Sequence, residues 1–395
     1  MLNGASNVSK SKTVIDLVDL YEHCKRVEIT SRRFTQREML RWLEPMVQAR
    51  LLGVADAGYS AEKRTISLYT YGQGTTKVLL WSQMHGDEPT ATMALLDILN
   101  FFAQQTNHAI TREIRSNLTL LLIPMLNPDG AERFTRRTSQ LIDMNRDAEA
   151  LRTPEANILR DTQQKYRPQF GFNLHDQDPR LTVGPSKEVT AIALLVPARD
   201  ASRTDDEVRS RAKKVAAVYA EVLHQLVPGH VAKYDDSFDR RAFGDSVQLW
   251  GTSTVLVESG GWPNDRDKMF IRKLNFIGQL ASLYSIATGD YEEKDASAYE
   301  SLPFNSKNLF DLKVRSVQLK GRNGVPSIRA DVGIIIDEMN QDPDRKRLIA
   351  KIVDIGDLSS FGAFEERDGS GISLEYSDIQ LDKAIPWDEL QRTLK

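Results

Sequence analysis

A chain of 395 residues, 41% hydrophobic and 27% charged, has the composition of an ordinary globular protein with room for one large domain and a smaller one. Its net charge of −3 comes without a Lys/Arg block, which argues against a nucleic-acid or polyanion partner. No apolar run reaches the ~18 residues of a membrane span. The amino terminus lacks the apolar core of a secretory signal, and the single cysteine, Cys24, excludes an intramolecular disulfide, so a cytoplasmic location is expected.

Residues 1–12 are small and polar, without periodicity, and read as a disordered tail. The glycosylation-like NVS at Asn7 and NLT at Asn117 read as chance in a chain without an export signal. TVIDLVDLYEHCKRV predicts a first helix, and RRFTQREMLRWLEPMVQARLL a second with Leu40, Leu43 and Met46 on one face. ISLYTYG and KVLLWSQM predict strands split by the turn signal GQG. A helix is expected from about Pro89 to Gln105, with proline in the first turn, where its missing N–H costs nothing. LTLLLIPML, Leu118 to Leu126, is the apolar run of a strand buried on both faces, and NPDG ends it as a turn. FGFNLHDQ, AIALLVPAR and STVLVESGG predict further strands, and TDDEVRSRAKKVAAVYAEVLHQLV and DKMFIRKLNFIGQLASLYSIATG further helices. The alternation predicts an α/β fold with a mixed, mostly parallel central sheet flanked by helices.

Near Asp290 the character changes. YEEKDASAYESLPFNSKN is polar and linker-like, and KVRSVQLKG, SIRADVGIIIDE, RLIAKIVDIGDL and GISLEYSDIQL are short β patterns with little helix signal. The expected division is a tail and helix over 1–40, a catalytic α/β domain over 41–292, and a small β-rich domain over 300–395 without a recognisable chemical motif.

Open α/β sheets bind ligands just beyond the carboxyl ends of their strands. His85 and Glu88 follow KVLLWSQM. Asn127 and Asp129 follow LTLLLIPML, with Arg133, Arg136, Arg137, Asn145 and Arg146 beyond. His175 follows FGFNL, and STVLV runs into Glu258. His85 and Glu88, three apart at a helix start, share a face. With a histidine from another strand they form the His₂Glu set of a catalytic zinc, which leaves a position for water. A second carboxylate is then needed to take the water proton and pass it to the leaving amine, and Glu258 is the candidate. Taken singly these residues have plainer readings: HxxE recurs by chance, a lone histidine packs in a core, and NPDG is a turn. Asp87 favours the helix amino end. The pattern and its order carry the hypothesis.

HGDE, then NPDG, TRR…DMNRD, LHDQ and a strand ending in glutamate, in that order over residues ~40–290, resemble the M14 family of zinc carboxypeptidases. The resemblance implies one zinc ion on His85, Glu88 and His175, and Glu258 as general base. It implies Arg136 as the stabiliser of the carbonyl oxyanion, and Asn145 with Arg146 as the grip on a substrate's terminal carboxylate. The implied substrate is a peptide or N-acyl amino acid with a free carboxylate. HGDE stands where members often have HGNE, and neither Tyr234 nor Phe238 lies at the offset of the family's tyrosine, so no tyrosine is assigned. Two alternatives stand beside the metallocarboxypeptidase: a zinc amidohydrolase of the aspartoacylase or succinylglutamate-desuccinylase type, and a catalytically silent binding module on the same fold.

Overall fold

The computed structural model describes residues 12–321, 325–338 and 347–394; the expected tail up to residue 11, with Asn7, lies outside them. The chain divides into two compact units, Met1–Pro179 with Thr190–Asn305, and Arg180–Val189 with Ser306–Lys395. Among the described residues, no helix is long and apolar enough to cross a membrane.

The larger unit is built on an eight-stranded sheet. From edge to edge its strands are Gly53–Tyr59, Thr65–Gly72, Leu118–Ile123, Thr76–Ser82, Phe170–Asp176, Ser253–Ser259, Ile192–Leu195 and Val231–Lys233. The four middle strands run parallel, from Leu118–Ile123 to Ser253–Ser259, so their carboxyl ends share one rim. Antiparallel partners flank them on both sides, which is the mixed, mostly parallel architecture expected of the sequence. The middle strands are nearly continuous apolar runs because both faces are covered: Leu120, Leu122, Val78 and Leu80 belong to one core, and Leu121, Ile123, Leu79 and Trp81 to the other. Helices Thr90–Gln104, Glu207–His224 and Met269–Thr288 pack on the first of these cores.

Several local expectations change. Helix Gln36–Gln48 starts at a capping box between Thr35 and Glu38. Its inward face is Gln36, Met39, Leu43 and Met46, while Leu40 is exposed. NPDG is not a free turn but the start of the short helix Pro128–Arg133, where the Asn127 side chain accepts from the Gly130 N–H. The linker-like segment after Asp290 folds onto the larger unit. Tyr299 and Leu302 are buried in its core, and the Tyr299 hydroxyl accepts from the Val196 N–H at 2.9 Å.

The smaller unit has its own core and sheet, in the order Gly362–Asp368, Leu309–Lys320, Ile328–Glu338, Leu348–Gly356 and Ile385–Pro386, with Ser373–Glu375 paired to Leu309–Lys320. Helix Trp387–Thr393, which the sequence pattern did not announce, packs Leu390 into that core. Arg180, from the inserted segment, is held within this unit by Asp311 at 2.9 Å and Asp337 at 2.8 Å.

Candidate functional site

His85 stands three residues past strand Thr76–Ser82, and Glu88 two residues before helix Thr90–Gln104. The glycine between them is a steric necessity. A Cβ on Gly86 would lie 2.0 Å from the backbone carbon of Gly130, because the NPDG helix start packs directly against this turn. Two backbone bonds fix the contact, from the Leu126 N–H to the Ser82 carbonyl and from the Asn127 N–H to the Gln83 carbonyl. His175 is the penultimate residue of strand Phe170–Asp176, and in the adjacent parallel strand its register partner is Glu258.

These placements bring His85, Glu88 and His175 together. One donor atom from each lies within 4.8 Å of the others, and all three residues are buried. Nδ1 of His85 is 2.8 Å from Glu88 Oε1, and Nδ1 of His175 is 2.8 Å from Glu88 Oε2. On the far side of its ring His85 Nε2 lies 3.0 Å from Asp143 Oδ1. Asp143 belongs to the DMNRD stretch, yet nothing in the linear pattern marked it as the partner of His85.

The other expected residues lie around this trio. Arg136 donates from Nη1 to Glu88 Oε1 at 3.0 Å and from Nε to Asp143 Oδ2 at 3.1 Å. The Asn145 side-chain oxygen accepts from the Phe243 N–H at 2.8 Å. Arg146 donates to the Asn145 carbonyl at 2.6 Å, and its Nε stands 3.5 Å from Asp239 Oδ2. All seven expected residues, together with Tyr234, line one cavity of about 310 Å³. The tyrosine left unassigned by sequence spacing is therefore at the site, whereas Phe238 is not among the lining residues.

The electrostatics are uneven. Burial works against charge on Glu88, but the two imidazoles outweigh it and hold its carboxyl well below the usual range. Burial also opposes protonation of His85, yet Glu88 and Asp143 raise it to about 9. His175 is pushed down by burial. Glu258 goes the opposite way from Glu88: burial and the neighbouring Glu88 charge lift its carboxyl well above the usual range. Its Oε2 is enclosed without a hydrogen-bond partner, as is His175 Nε2. Burial and the Glu258 carboxylate push the Tyr234 hydroxyl up as well.

A family model described as zinc carboxypeptidase, Peptidase M14, matches residues 39–188, a range that holds His85, Glu88 and His175 and ends before Glu258. Probable carboxypeptidase 2 of Arthroderma benhamiae is 26% identical over 145 residues, 36% of this chain and 27% of that protein. Carboxypeptidase 2 of Trichophyton rubrum is 24% identical over 174 residues, 41% of this chain and 32% of that protein. The chain thus spans about a third or less of the length of these curated relatives. Among solved structures, a metallo-carboxypeptidase from Burkholderia cenocepacia superposes with a TM-score of 0.51 at 17% identity, over 65% of this chain and 70% of that one. Bovine thrombin-activatable fibrinolysis inhibitor, in complex with tick carboxypeptidase inhibitor, gives 0.52 at 13% identity, over 65% of this chain and 98% of that one. At such identities the superpositions show a shared fold.

Proposed function

We propose that this chain is a member of the M14 zinc carboxypeptidases, a reading its match over residues 39–188 supports, and a zinc-dependent metallocarboxypeptidase that releases the last residue of peptides. The observation that carries this reading is the convergence of two imidazoles and a carboxylate at a strand rim, in one cavity with an enclosed glutamate and two guanidinium groups.

The donor set fits zinc. Both histidines direct Nδ1 at the same carboxylate, and the opposite nitrogen of His85 is held by Asp143, the outer carboxylate that fixes the tautomer of metal-bound histidines. Zinc held there by His85, Glu88 and His175 would supply Lewis acidity, polarising a carbonyl and making water nucleophilic near neutral pH.

The protein's own groups do the rest. Arg146, on the cavity wall, forms a two-pronged hydrogen bond with the substrate's terminal carboxylate and so selects chain ends, with Asn145 beside it. Arg136 projects its guanidinium over the metal-ligand trio, where it donates to the carbonyl oxygen as negative charge builds there. Glu258 takes the proton of the attacking water on its carboxylate and returns it to the leaving amine nitrogen. A carboxyl raised well above its usual range suits both halves of that transfer.

The test is mass-spectrometric profiling of a peptide library with the zinc-loaded protein, alongside carboxyl-amidated copies and a panel of N-acyl amino acids. Stepwise loss from free carboxyl termini, with amidated copies intact, is expected. Turnover of N-acyl amino acids with peptides untouched would move the chain to the amidohydrolase reading, and no turnover by a zinc-saturated protein to the silent binding module.

A further inference from the structure

Glu88, His175 and Glu258 come from three separate segments, and each is followed within two positions by a member of one buried polar cluster. Thr90 follows Glu88, Asp176 follows His175, and Ser259 follows Glu258. The Thr90 hydroxyl donates to Asp176 Oδ2 at 2.5 Å. The Lys268 ammonium donates to that same oxygen at 3.1 Å and to the Ser259 carbonyl at 3.0 Å. The Asp176 backbone N–H in turn donates to Glu88 Oε2 at 3.2 Å. The side chains of Lys268 and Asp176 are each only 5% exposed.

From this geometry we infer that Lys268 is a positioning residue of the catalytic site, clamping together the three segments that carry Glu88, His175 and Glu258. The inference rests on the metallocarboxypeptidase reading of that site. A lysine is almost never fully buried unless paired, because its ammonium loses its hydration. Here the ammonium bridges two adjacent strands at the register pair Asp176–Ser259, one step beyond the pair His175–Glu258. Its backbone sits at φ 55, in the left-handed region that a lysine seldom occupies, just before helix Met269–Thr288. A backbone bond from the Lys268 N–H to the Asp265 carbonyl at 2.9 Å fixes that turn. Remove the ammonium and Asp176 keeps one oxygen with only the Thr90 hydroxyl on it and one, Oδ1, without any partner. The two strand ends then keep only their backbone bond, from the Gln177 N–H to the Ser259 carbonyl at 3.1 Å, and lose the side-chain bridge beside it. Displacements of about 1 Å at a catalytic constellation cost on the order of 10²-fold in rate.

The experiment compares Lys268→Met, Lys268→Arg and Thr90→Val in the full chain. Zinc affinity is read by competition with a chromophoric chelator, kcat and KM on a free-acid peptide with zinc in excess, and Tm separately. Outer groups that orient metal ligands typically contribute about 10–100-fold in affinity or activity. Lys268→Met should therefore lower kcat by about that factor, leave KM within about threefold, and weaken zinc binding about tenfold. Lys268→Arg, which can still donate to both acceptors, should recover most of each loss. Thr90→Val leaves no buried charge unpaired, and should show the same pattern at about three- to tenfold. If Lys268→Met does not fold, Thr90→Val decides. Values of kcat and zinc affinity within twofold of the parent in the folded variants, whatever their Tm, would overturn the inference and leave an ordinary stabilising ion pair. A parent that binds zinc but cleaves no peptide would refute the peptidase reading, while the chelator competition would still judge the clamp.

Discussion

Asp97 and Arg272, at 0% and 2% exposure, are as deeply buried as His85, Glu88 and His175. The Arg272 guanidinium meets both Asp97 oxygens, at 2.7 and 2.6 Å, and also donates to the carbonyls of Ile29 and Arg26. Asp97 accepts in addition from the Arg26 N–H at 2.7 Å. This cluster joins two helices to the segment that follows helix Lys12–Cys24, and leaves neither Asp97 nor the forked end of Arg272 short of partners. At the strand rim the accounting is different. Glu258 Oε2, His175 Nε2 and Asp176 Oδ1 are enclosed and unpartnered, and the charges of Glu88 and Asp176 add to burial in raising the proton affinity of Glu258. Buried polar groups are as a rule satisfied. One cluster therefore reads as complete, and the other as a site whose missing partners arrive from outside.

The comparison breaks most sharply at Glu258. Glu258→Gln keeps the shape and removes the base, so kcat should fall by about 10³-fold or more while zinc binds with unchanged stoichiometry. Retained turnover in a zinc-loaded variant would remove Glu258 from the mechanism. Arg272→Met is the mirror experiment. It strands a fully buried Asp97 and should cost about 3–5 kcal/mol of stability in a denaturant titration, with kcat per folded molecule within about twofold of the parent. A large loss of kcat at full folding would show that the helix-layer cluster is coupled to the rim after all.

The same contrast governs what the sequence disclosed. Strands Leu118–Ile123 and Ser253–Ser259 were legible because both faces are buried, and the apolar runs stop where the polar residues begin. The places of His85, Glu88, His175 and Glu258 were legible because they sit at the ends of three such runs, Thr76–Ser82, Phe170–Asp176 and Ser253–Ser259. Gly53–Tyr59 was not, since an edge strand with a mostly exposed GVADAGY has no alternation to detect. Leu40 was misplaced because Met39, Leu43 and Met46 already fill the inward face of its helix. Tyr299 was lost in a polar stretch because one aromatic and one hydroxyl bond, to Val196, anchor it without any periodic pattern. Asp143 and Lys268 were invisible for a different reason: their roles depend on which side chain stands across from them, 58 residues away for Asp143 and 92 for Lys268.

The cavity also holds a carboxyl whose charge makes stability depend on pH. Asp245 lines the same cavity as Glu258 at 7% exposure, and burial raises its carboxyl to about 7 against the hydrogen bond it accepts from the Asp239 backbone. A carboxyl whose folded value lies above its unfolded value destabilises the fold as it ionises. The penalty is absent below about pH 4, grows between there and about 7, and is complete above. Asp245→Asn should thus raise stability on the order of 2 kcal/mol at pH 8 and leave it nearly unchanged at pH 4. A gain of equal size at both pH values would mean that the carboxyl is not strained by its surroundings.

The smallest effect is expected at the rim's outer edge, where Asp239 stands 3.5 Å from Arg146 Nε and is itself held by Arg241 at 2.9 Å. The Arg146 side chain is 45% exposed, so this is a solvent-screened pair worth at most about 1 kcal/mol. A substrate carboxylate that docks on Arg146 has to displace Asp239 or share the guanidinium with it. Asp239→Asn removes the competing charge, and should lower KM for free-acid peptides by about two- to fivefold with kcat unchanged. Raised salt should shrink the difference, because both anions are exposed enough to be screened. A KM that rises instead would mean that Asp239 orients Arg146 rather than competing for it. The partner of this guanidinium would then belong, like Asp97 and Arg272, to a cluster complete before any ligand arrives.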